Sequence, residues 1–386
     1  MAETSGAARP KPLHGGLPDE IVIWEILVRL PPKSLLRCRT VCRAWRLATS
    51  TRDFLLAHHH QQPSLSVVSG SEHRGRRYEI HAFDHRALSA HHQPVARLDQ
   101  SFNLEASCDG LLILYTHGTA GPCYSVCNLA TRQHAPLRQL SSFGLFNLLG
   151  MYLHRPTGEY RILLHRKSHW GFTIGDRVPK GKIGCYVFVV GSDQQPRYIG
   201  GPDAAAAVYL EKPALLCDSL HWYPMQRQGG GRLVLVFDTT TESFRQMRAP
   251  RVPIRSNMVE MDDTLGIYSY KCATKTVDIW VLQNYEAEVW DYKYRVELPV
   301  AQIRGQFGLS DGHWEVSVAC AHENVFLMVS YGSWMFYVDT DGELVANFHC
   351  VGRELDDCQL RLKQTLVQHT FFTALEGYAA NASPFV

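Results

Sequence analysis

Residues 17–46, LPDEIVIWEILVRLPPKSLLRCRTVCRAWR, constrain the fold most, because this segment carries more apolar surface than it can bury by itself. Pro18 and the two acidic residues after it predict the first turn of a helix. That helix is apolar on nearly all sides, so it must be covered from more than one direction. The Pro31-Pro32 pair ends it, and Pro32 suits the first position of the next helix.

Two shorter helices are predicted after the proline pair. The first covers residues 33–37, and the second begins near Thr40, which is a suitable N-cap residue. Three short helices in about forty residues bury too little surface to be stable without a disulfide, a metal or a partner. The sequence therefore predicts a small helical domain that exposes an apolar surface to something else.

The order of these motifs resembles an F-box, particularly the plant type, over residues 15–60. The matching features are Leu-Pro, an acidic pair, an apolar helix, a second Leu-Pro, Lys-Ser-Leu, Arg-Cys and Val-Cys-Arg-x-Trp. The resemblance implies a non-catalytic substrate-recognition subunit of a Skp-cullin-F-box ubiquitin ligase, whose F-box binds a Skp-type adaptor and through it a cullin. A helical cap packed on the chain's own C-terminal domain is the alternative.

Carried over from the family pattern, the adaptor-facing surface includes eleven residues. Which of them face the adaptor and which pack against each other is left open by the pattern. They are Leu17, Pro18, Ile21, Ile26, Leu27, Leu30, Leu35, Leu36, Val41, Cys42 and Trp45.

From residue 64 onward, short β-type runs are separated by Gly, Pro, Asp and Asn turns, and helical periodicity is almost absent. A run that ends in a turn recurs at residues 124, 186, 235, 278 and 335. Repeats of this size with about four strands each are typical of β-propeller blades. With a weaker first unit at 64–97, the pattern predicts six blades, and a pair of packed β-sheets is the alternative.

This C-terminal part also resembles the F-box-associated and Kelch-like domains that follow plant F-boxes, especially at CDSLHWYP, LVFDTTTESFRQM and IWVL. The predicted organisation is therefore multidomain: a disordered tail at 1–16, an all-α F-box at 17–60 and a large all-β recognition domain at 64–386. The domain would bind a protein substrate, and the sequence does not identify that substrate or the loops that contact it.

Composition narrows the function further. A net charge of +2 favours neither DNA nor RNA as a partner, although arginines near residue 40 keep a nucleic-acid binder as a minor hypothesis. Eleven cysteines without paired motifs, no secretory signal and no apolar run of membrane-spanning length predict a cytoplasmic or nuclear protein without a membrane segment.

Several residues imitate catalytic or metal-binding motifs. Ser310 lies in a GLSDG sequence, but a strand-like run follows it, so we expect a hairpin turn and not a nucleophile elbow. His165 and His169 are expected in a loop, residues 229–231 in a flexible hairpin, and Asp238 and Asp339 in turns where they bond backbone N–H groups. We predict no catalytic, metal or cofactor residue. A propeller enzyme or ligand-binding protein with a non-functional helical cap is the alternative.

Overall fold

The computed structural model of the protein describes residues 17–374 except 73–77, 84–93, 99, 119–120, 167–181, 203–211, 224–232, 254–255, 262, 311, 322–323 and 351–352. The tail predicted at 1–16 lies outside these residues, as do His169 and the glycines at 229–231. Contacts divide the chain into two units. The N-terminal unit contains residues up to 64 together with 363–369, and the second unit contains 65–362 and the residues from 370 onward.

The N-terminal unit is helical. The first predicted helix is one run in three geometries, with an α-helical turn α1 (Asp19–Ile21), a π-helical segment (Val22–Ile26) and a 3-10 turn (Leu27–Arg29). Extended backbone at Leu30 and Pro31 separates this run from the next helix. The remaining helices are α2 (Pro32–Cys38), α3 (Arg43–Ala48) and α4 (Arg52–Gln61).

The cap of α3 differs from the prediction. Cys42 precedes the helix in extended conformation, and its Sγ accepts a hydrogen bond from the Trp45 backbone N–H at 3.4 Å. Thr40 instead donates its hydroxyl to the Arg37 carbonyl at 2.7 Å and closes the end of α2. The prediction of Thr40 as N-cap was wrong, because its side chain satisfies an orphan carbonyl of the preceding helix.

The second unit is a six-bladed β-propeller, as predicted. Its strands form six four-stranded antiparallel sheets, and the first strands of neighbouring blades contact one another and are therefore innermost. Blade 2 consists of β4 (Phe102–Cys108), β5 (Leu111–Gly118), β6 (Gly121–Asn128) and β7 (Gln133–Pro136), and blade 3 of β8 (Phe146–His154), β9 (Glu159–Arg166), β10 (Gly184–Val189) and β11 (Arg197–Gly200).

The next three blades follow the same order along the chain. Blade 4 consists of β12 (Ala214–Leu216), β13 (Ser219–Trp222), β14 (Leu233–Asp238) and β15 (Ser243–Arg248). Blade 5 consists of β16 (Asn257–Met261), β17 (Thr264–Lys271), β18 (Thr276–Asn284) and β19 (Val289–Glu297). Blade 6 consists of β20 (Glu315–Ala321), β21 (Asn324–Tyr331), β22 (Trp334–Val338) and β23 (Leu344–His349).

Blade 1 closes the ring with strands from both ends of the propeller sequence. Its outer strands are β1 (Ser64–Glu72), β2 (Tyr78–Phe83) and β3 (Pro94–Leu98), and its innermost strand is β24 (Arg353–Lys363). The backbone hydrogen bonds between β24 and β1 therefore hold the two ends of the propeller sequence together within one blade. The first sequence repeat, at 64–97, is irregular because it contains only three of the blade's four strands.

The core lies between neighbouring blades. Blades 5 and 6 share the cluster around Trp314 and Ile303, whereas blades 2 and 3 share one that includes Phe372. Ile303 and Phe372 belong to helices that the sequence did not predict, because each helix is short. These helices are α5 (Arg138–Ser142), α6 (Val300–Phe307) and α7 (Phe371–Ala374).

The hairpin turns between third and fourth strands repeat one hydrogen-bond pattern. The side-chain oxygen of an Asp or Asn accepts from backbone N–H groups two to four residues later at 2.8–3.3 Å, which is an Asx turn or a close variant of it. Asp238 and Asp339 do so as predicted, and Asn128 and Asn284 supply the same acceptor in blades 2 and 5.

Two predicted loop assignments were wrong. His165 is buried within β9, because that strand continues to Arg166 and pairs with both β8 and β10. Ser310 lies in the connection from α6 to β20, so the segment joins a helix to a strand and is not a hairpin turn. Its hydroxyl lies 3.1 Å from the Tyr331 hydroxyl.

Candidate functional site

The N-terminal unit exposes a large apolar surface. Eight large hydrophobic side chains between residues 17 and 56 are 38–66% exposed, out of fifteen such side chains in the described part of the chain. A small domain that leaves this much apolar area in water marks an interaction site. We call these residues the apolar surface: Leu17, Ile21, Trp24, Ile26, Leu36, Val41, Leu47 and Leu56.

The opposite sides of the same helices form the core of the unit. Leu27 and Leu35 are 2% and 0% exposed, and Val22, Val28 and Phe54 are buried as well. The π-helical segment changes the angular spacing of side chains between α1 and the 3-10 turn. The nearly all-apolar first helix is consequently divided between a buried side and an exposed side.

Trp24 connects the two sides. Its ring centroid lies 5.6 Å from that of the buried Phe54 at a tilted angle, although the indole is partly exposed. Such an arrangement gives aromatic contact energy in addition to area burial. Trp24 is therefore held in place before any partner binds.

A buried polar pair from α4 fixes the end of the first helical run. His58 donates from Nε2 to the Leu30 carbonyl oxygen at 2.8 Å, and Gln62 donates from Nε2 to the same oxygen at 3.1 Å. Burial lowers the pKa of His58, and the hydrogen bond with Leu30 opposes this only in part. His58 is fully buried, so its hydrogen bond to Leu30 is a structural one.

A second tie joins α2 to α3. Arg39 donates from Nε to the Thr49 hydroxyl at 3.0 Å, and its guanidinium also donates to the Thr49 carbonyl. Thr49 is completely buried. This arginine belongs to the basic cluster that suggested a nucleic-acid site, and it is engaged within the unit.

The eleven residues predicted to face an adaptor fall into three groups. Leu27 and Leu35 lie in the core, so in this conformation they shape the unit and do not form its surface. Leu30, Cys42 and Trp45 are half-buried. The other six are exposed: Leu17, Pro18, Ile21, Ile26, Leu36 and Val41.

The structure adds three exposed residues that the family pattern did not supply. Trp24, Leu47 and Leu56 lie on the same unit, and Leu56 comes from α4, beyond the three predicted helices. The only sequence signal for them is their apolar character. Apolar character alone does not separate exposed from buried positions, because neighbouring leucines such as Leu35 and Leu36 in α2, or Leu55 and Leu56 in α4, differ in exposure.

Comparison with known proteins agrees with the two-part organisation. A family model described as F-box-like matches residues 15–62. A second model, the F-box associated beta propeller domain, matches residues 53–341, about three quarters of the chain. The chain belongs to the F-box-associated β-propeller family. Its N-terminal unit coincides with the F-box-like match.

Relatives of this F-box chain occur in Arabidopsis thaliana. It is 25% identical over 295 residues to F-box protein At5g49610, covering 71% of this chain and 77% of the relative. It is 21% identical over 389 residues to the putative F-box/kelch-repeat protein At1g12870, covering 90% and 87%. Similarity therefore extends over both parts of the chain.

Solved structures resemble the chain more remotely. A chain of a nidogen/laminin complex matches with a TM-score of 0.45 and 10% identity, covering 75% of this chain and 96% of that chain. TolB from Acinetobacter baumannii matches with a TM-score of 0.41 and 11% identity, covering 82% and 72%. The blade assignment accordingly rests on the strand order. In the described residues, no helix has the length and apolar character needed to cross a membrane.

Proposed function

We propose that the chain is the substrate-recognition subunit of a Skp-cullin-F-box ubiquitin ligase. In this proposal, residues 17–60 are the F-box that binds a Skp-type adaptor and through it a cullin. Residues 64–386 bind a protein target. The observation that carries the proposal is the apolar surface, eight exposed hydrophobic side chains on a helical unit of the F-box-like family.

The adaptor contact is assigned by exposure. Six of the eleven predicted residues are exposed and form direct contacts, joined by the additional residues Trp24, Leu47 and Leu56. Half-buried Leu30 and Trp45 contribute at the edges. Burial of exposed aromatic and aliphatic side chains is the dominant favourable term in association of this kind.

The chain itself performs no chemistry in this proposal. Its contribution is proximity, because holding a target lysine near a ubiquitin-charged enzyme converts a bimolecular encounter into an effectively intramolecular one. Free cysteines, including the exposed Cys217 and Cys272, suit a reducing compartment, so we place the protein in the cytoplasm, the nucleus or both.

Co-expression with a Skp-type adaptor tests the proposal. Leu36→Asp with Val41→Asp places two charges on the apolar surface, and this double variant is expected to lose co-purification because binding would bury both charges. The matched control is Val345→Asp, an exposed valine on β23 of the propeller, which should retain the adaptor. Co-purification of the double variant at the wild-type level would refute the assignment.

A further inference from the structure

A cavity of about 400 Å³ opens at one end of the propeller's central channel. Its walls include the innermost strands of three neighbouring blades, β16, β20 and β24, together with residues of the strands beside β16 and β20. Asn257 and Glu315 are the first residues of β16 and β20, so the cavity lies at the end of the channel where innermost strands begin. Its volume falls in the range of pockets that hold a small molecule or a side chain.

The cavity is acidic. Glu315, Asp356 and Asp357 line it, and its lining contains no lysine or arginine. Burial raises the pKa of both Asp356 and Asp357. Hydrogen bonds from Ser317 and from the Gln359 backbone N–H oppose this only in part at Asp357, and the charge of Lys212 opposes it only in part at Asp356. Three carboxyl groups therefore face a space whose lining contributes no lysine or arginine.

The nearest cations along the channel are engaged with backbone carbonyls. Arg361 donates to the Glu260 carbonyl oxygen at 3.4 Å. Lys212 donates from Nζ to the carbonyl oxygens of Leu104 and Glu105 at 3.2 and 2.9 Å. These bonds join the segment just before β12 of blade 4 to β4 of blade 2. Both side chains still act electrostatically on the carboxylates, Lys212 on Asp356 and Arg361 on Asp357, but neither lines the cavity.

The wall also carries an aromatic residue with an unused donor. Trp314 is 2% exposed, packs against Tyr331 at 4.7 Å between ring centroids, and lines the cavity. Its indole Nε1 has no hydrogen-bond partner among the described residues. Buried donors are normally paired, so an unpaired indole N–H in the cavity wall is unusual.

We propose that this cavity is the target-binding site of the propeller and takes a lysine or arginine side chain of the bound protein. The carboxylates pair with the cation, and the aromatic wall packs against its aliphatic stem. An organic cation fits better than a metal ion, because the described residues contain no group of three His, Cys, Asp or Glu that could hold a metal. That the bound protein is a target for ubiquitination rests on the proposed function, whereas binding of a cationic side chain by the cavity does not.

Selection of a random heptapeptide phage library on the purified full chain tests the inference. Peptides with lysine or arginine at one fixed position are expected. Replacing that residue by glutamine in the peptide should weaken binding at least about tenfold, as for loss of an enclosed charge pair. Peptides without such a preference, or a selection that yields no binder, would overturn the proposal.

Protein variants locate the binding. Glu315→Gln with Asp356→Asn keeps side-chain shape and removes two charges, and it should weaken the selected peptides at least about tenfold. The matched control Glu286→Gln removes an exposed carboxylate from a turn of blade 5 and should leave affinity unchanged. Equal affinity of wild type and the double variant would contradict the cavity assignment. Adaptor binding is measured on the same variants, so failure of the F-box proposal and failure of the cavity proposal give separate results.

Discussion

One pair of alanine substitutions and one single substitution should separate folding of the N-terminal unit from adaptor binding. Val41 and Leu47 are 66% and 59% exposed, whereas Leu35 is completely buried. Truncation to alanine removes two carbons from valine and three from leucine. At about 0.8 kcal/mol per buried methylene, scaled by the exposed fraction, adaptor binding loses about 1 kcal/mol at Val41 and about 1.4 kcal/mol at Leu47.

The Val41→Ala, Leu47→Ala double variant should therefore bind a Skp-type adaptor about fiftyfold more weakly if the two effects add. The buried fractions of the same side chains make the cost to folding smaller, about 1.5 kcal/mol together. Leu35→Ala should instead cost about 2–5 kcal/mol of unfolding free energy, because it creates a cavity in the core of a small unit.

Titration calorimetry with the purified adaptor measures the affinity, and hydrogen exchange over residues 17–64 measures the opening free energy of the unit. The comparison is made on the full chain. An adaptor affinity within twofold of wild type for the Val41/Leu47 variant would refute the placement of these residues at the interface. A loss of protection equal to that of Leu35→Ala would show that they act through folding.

The propeller allows two further predictions. Burial lowers the pKa of His221 to about 4, so below pH 6.5 the unfolded chain binds more protons than the folded one. The free energy of unfolding should therefore fall by about 2 kcal/mol from pH 7 to pH 5. His221→Phe should flatten this pH dependence in urea titrations, and an unchanged dependence would contradict the prediction. Glu242→Gln should lower the free energy of unfolding by about 2–4 kcal/mol in the same assay, because Arg161 loses its buried carboxylate partner. The control Glu286→Gln removes an exposed carboxylate and should change the free energy of unfolding little. Equal effects of the two substitutions would refute the prediction.

The Glu242 prediction depends on a contact between blades. Glu242 lies in the last hairpin turn of blade 4, and its carboxylate accepts from Arg161 at 2.5 Å and from the Tyr152 hydroxyl at 2.8 Å, both in blade 3. Burial alone would raise the pKa of Glu242, but the hydrogen bonds from Arg161, Tyr152 and Arg197 leave it lowered. Glu288 occupies the same position in blade 5 and accepts from the Arg248 guanidinium of blade 4 at 3.1 Å.

Much of the fold could be predicted from local patterns. Strands β2 (Tyr78–Phe83) and β14 (Leu233–Asp238) are β-type runs between turns, the pattern predicted from residue 64 onward, and such a run is defined by a few neighbouring residues. Asp238 and Asp339 were correctly placed for the same reason, since an Asx turn involves only neighbouring residues. The six-blade count followed from the repeats of these local units.

Features that depend on distant residues could not be predicted. The pairing of β24 with β1 joins segments about 290 residues apart, and nothing in 353–363 indicates which strand it will meet. The burial of His58 depends on its hydrogen bond to the Leu30 carbonyl, 28 residues earlier in the chain. The exposure of Leu47 and burial of Leu35 likewise depend on packing among helices with similar composition.

Ring closure and the acidic cavity depend on the same strand. β24 supplies Asp356 and Asp357 to the cavity wall and also completes blade 1 beside β1. The other walls come from β16 and β20, so all three strands must be held in register before the carboxylates face one space. Side-chain contacts such as those of Glu242 and Glu288 join neighbouring blades to each other. Because Glu315 and the two aspartates come from different strands, β20 and β24, the three carboxyl groups face one space only in the closed propeller.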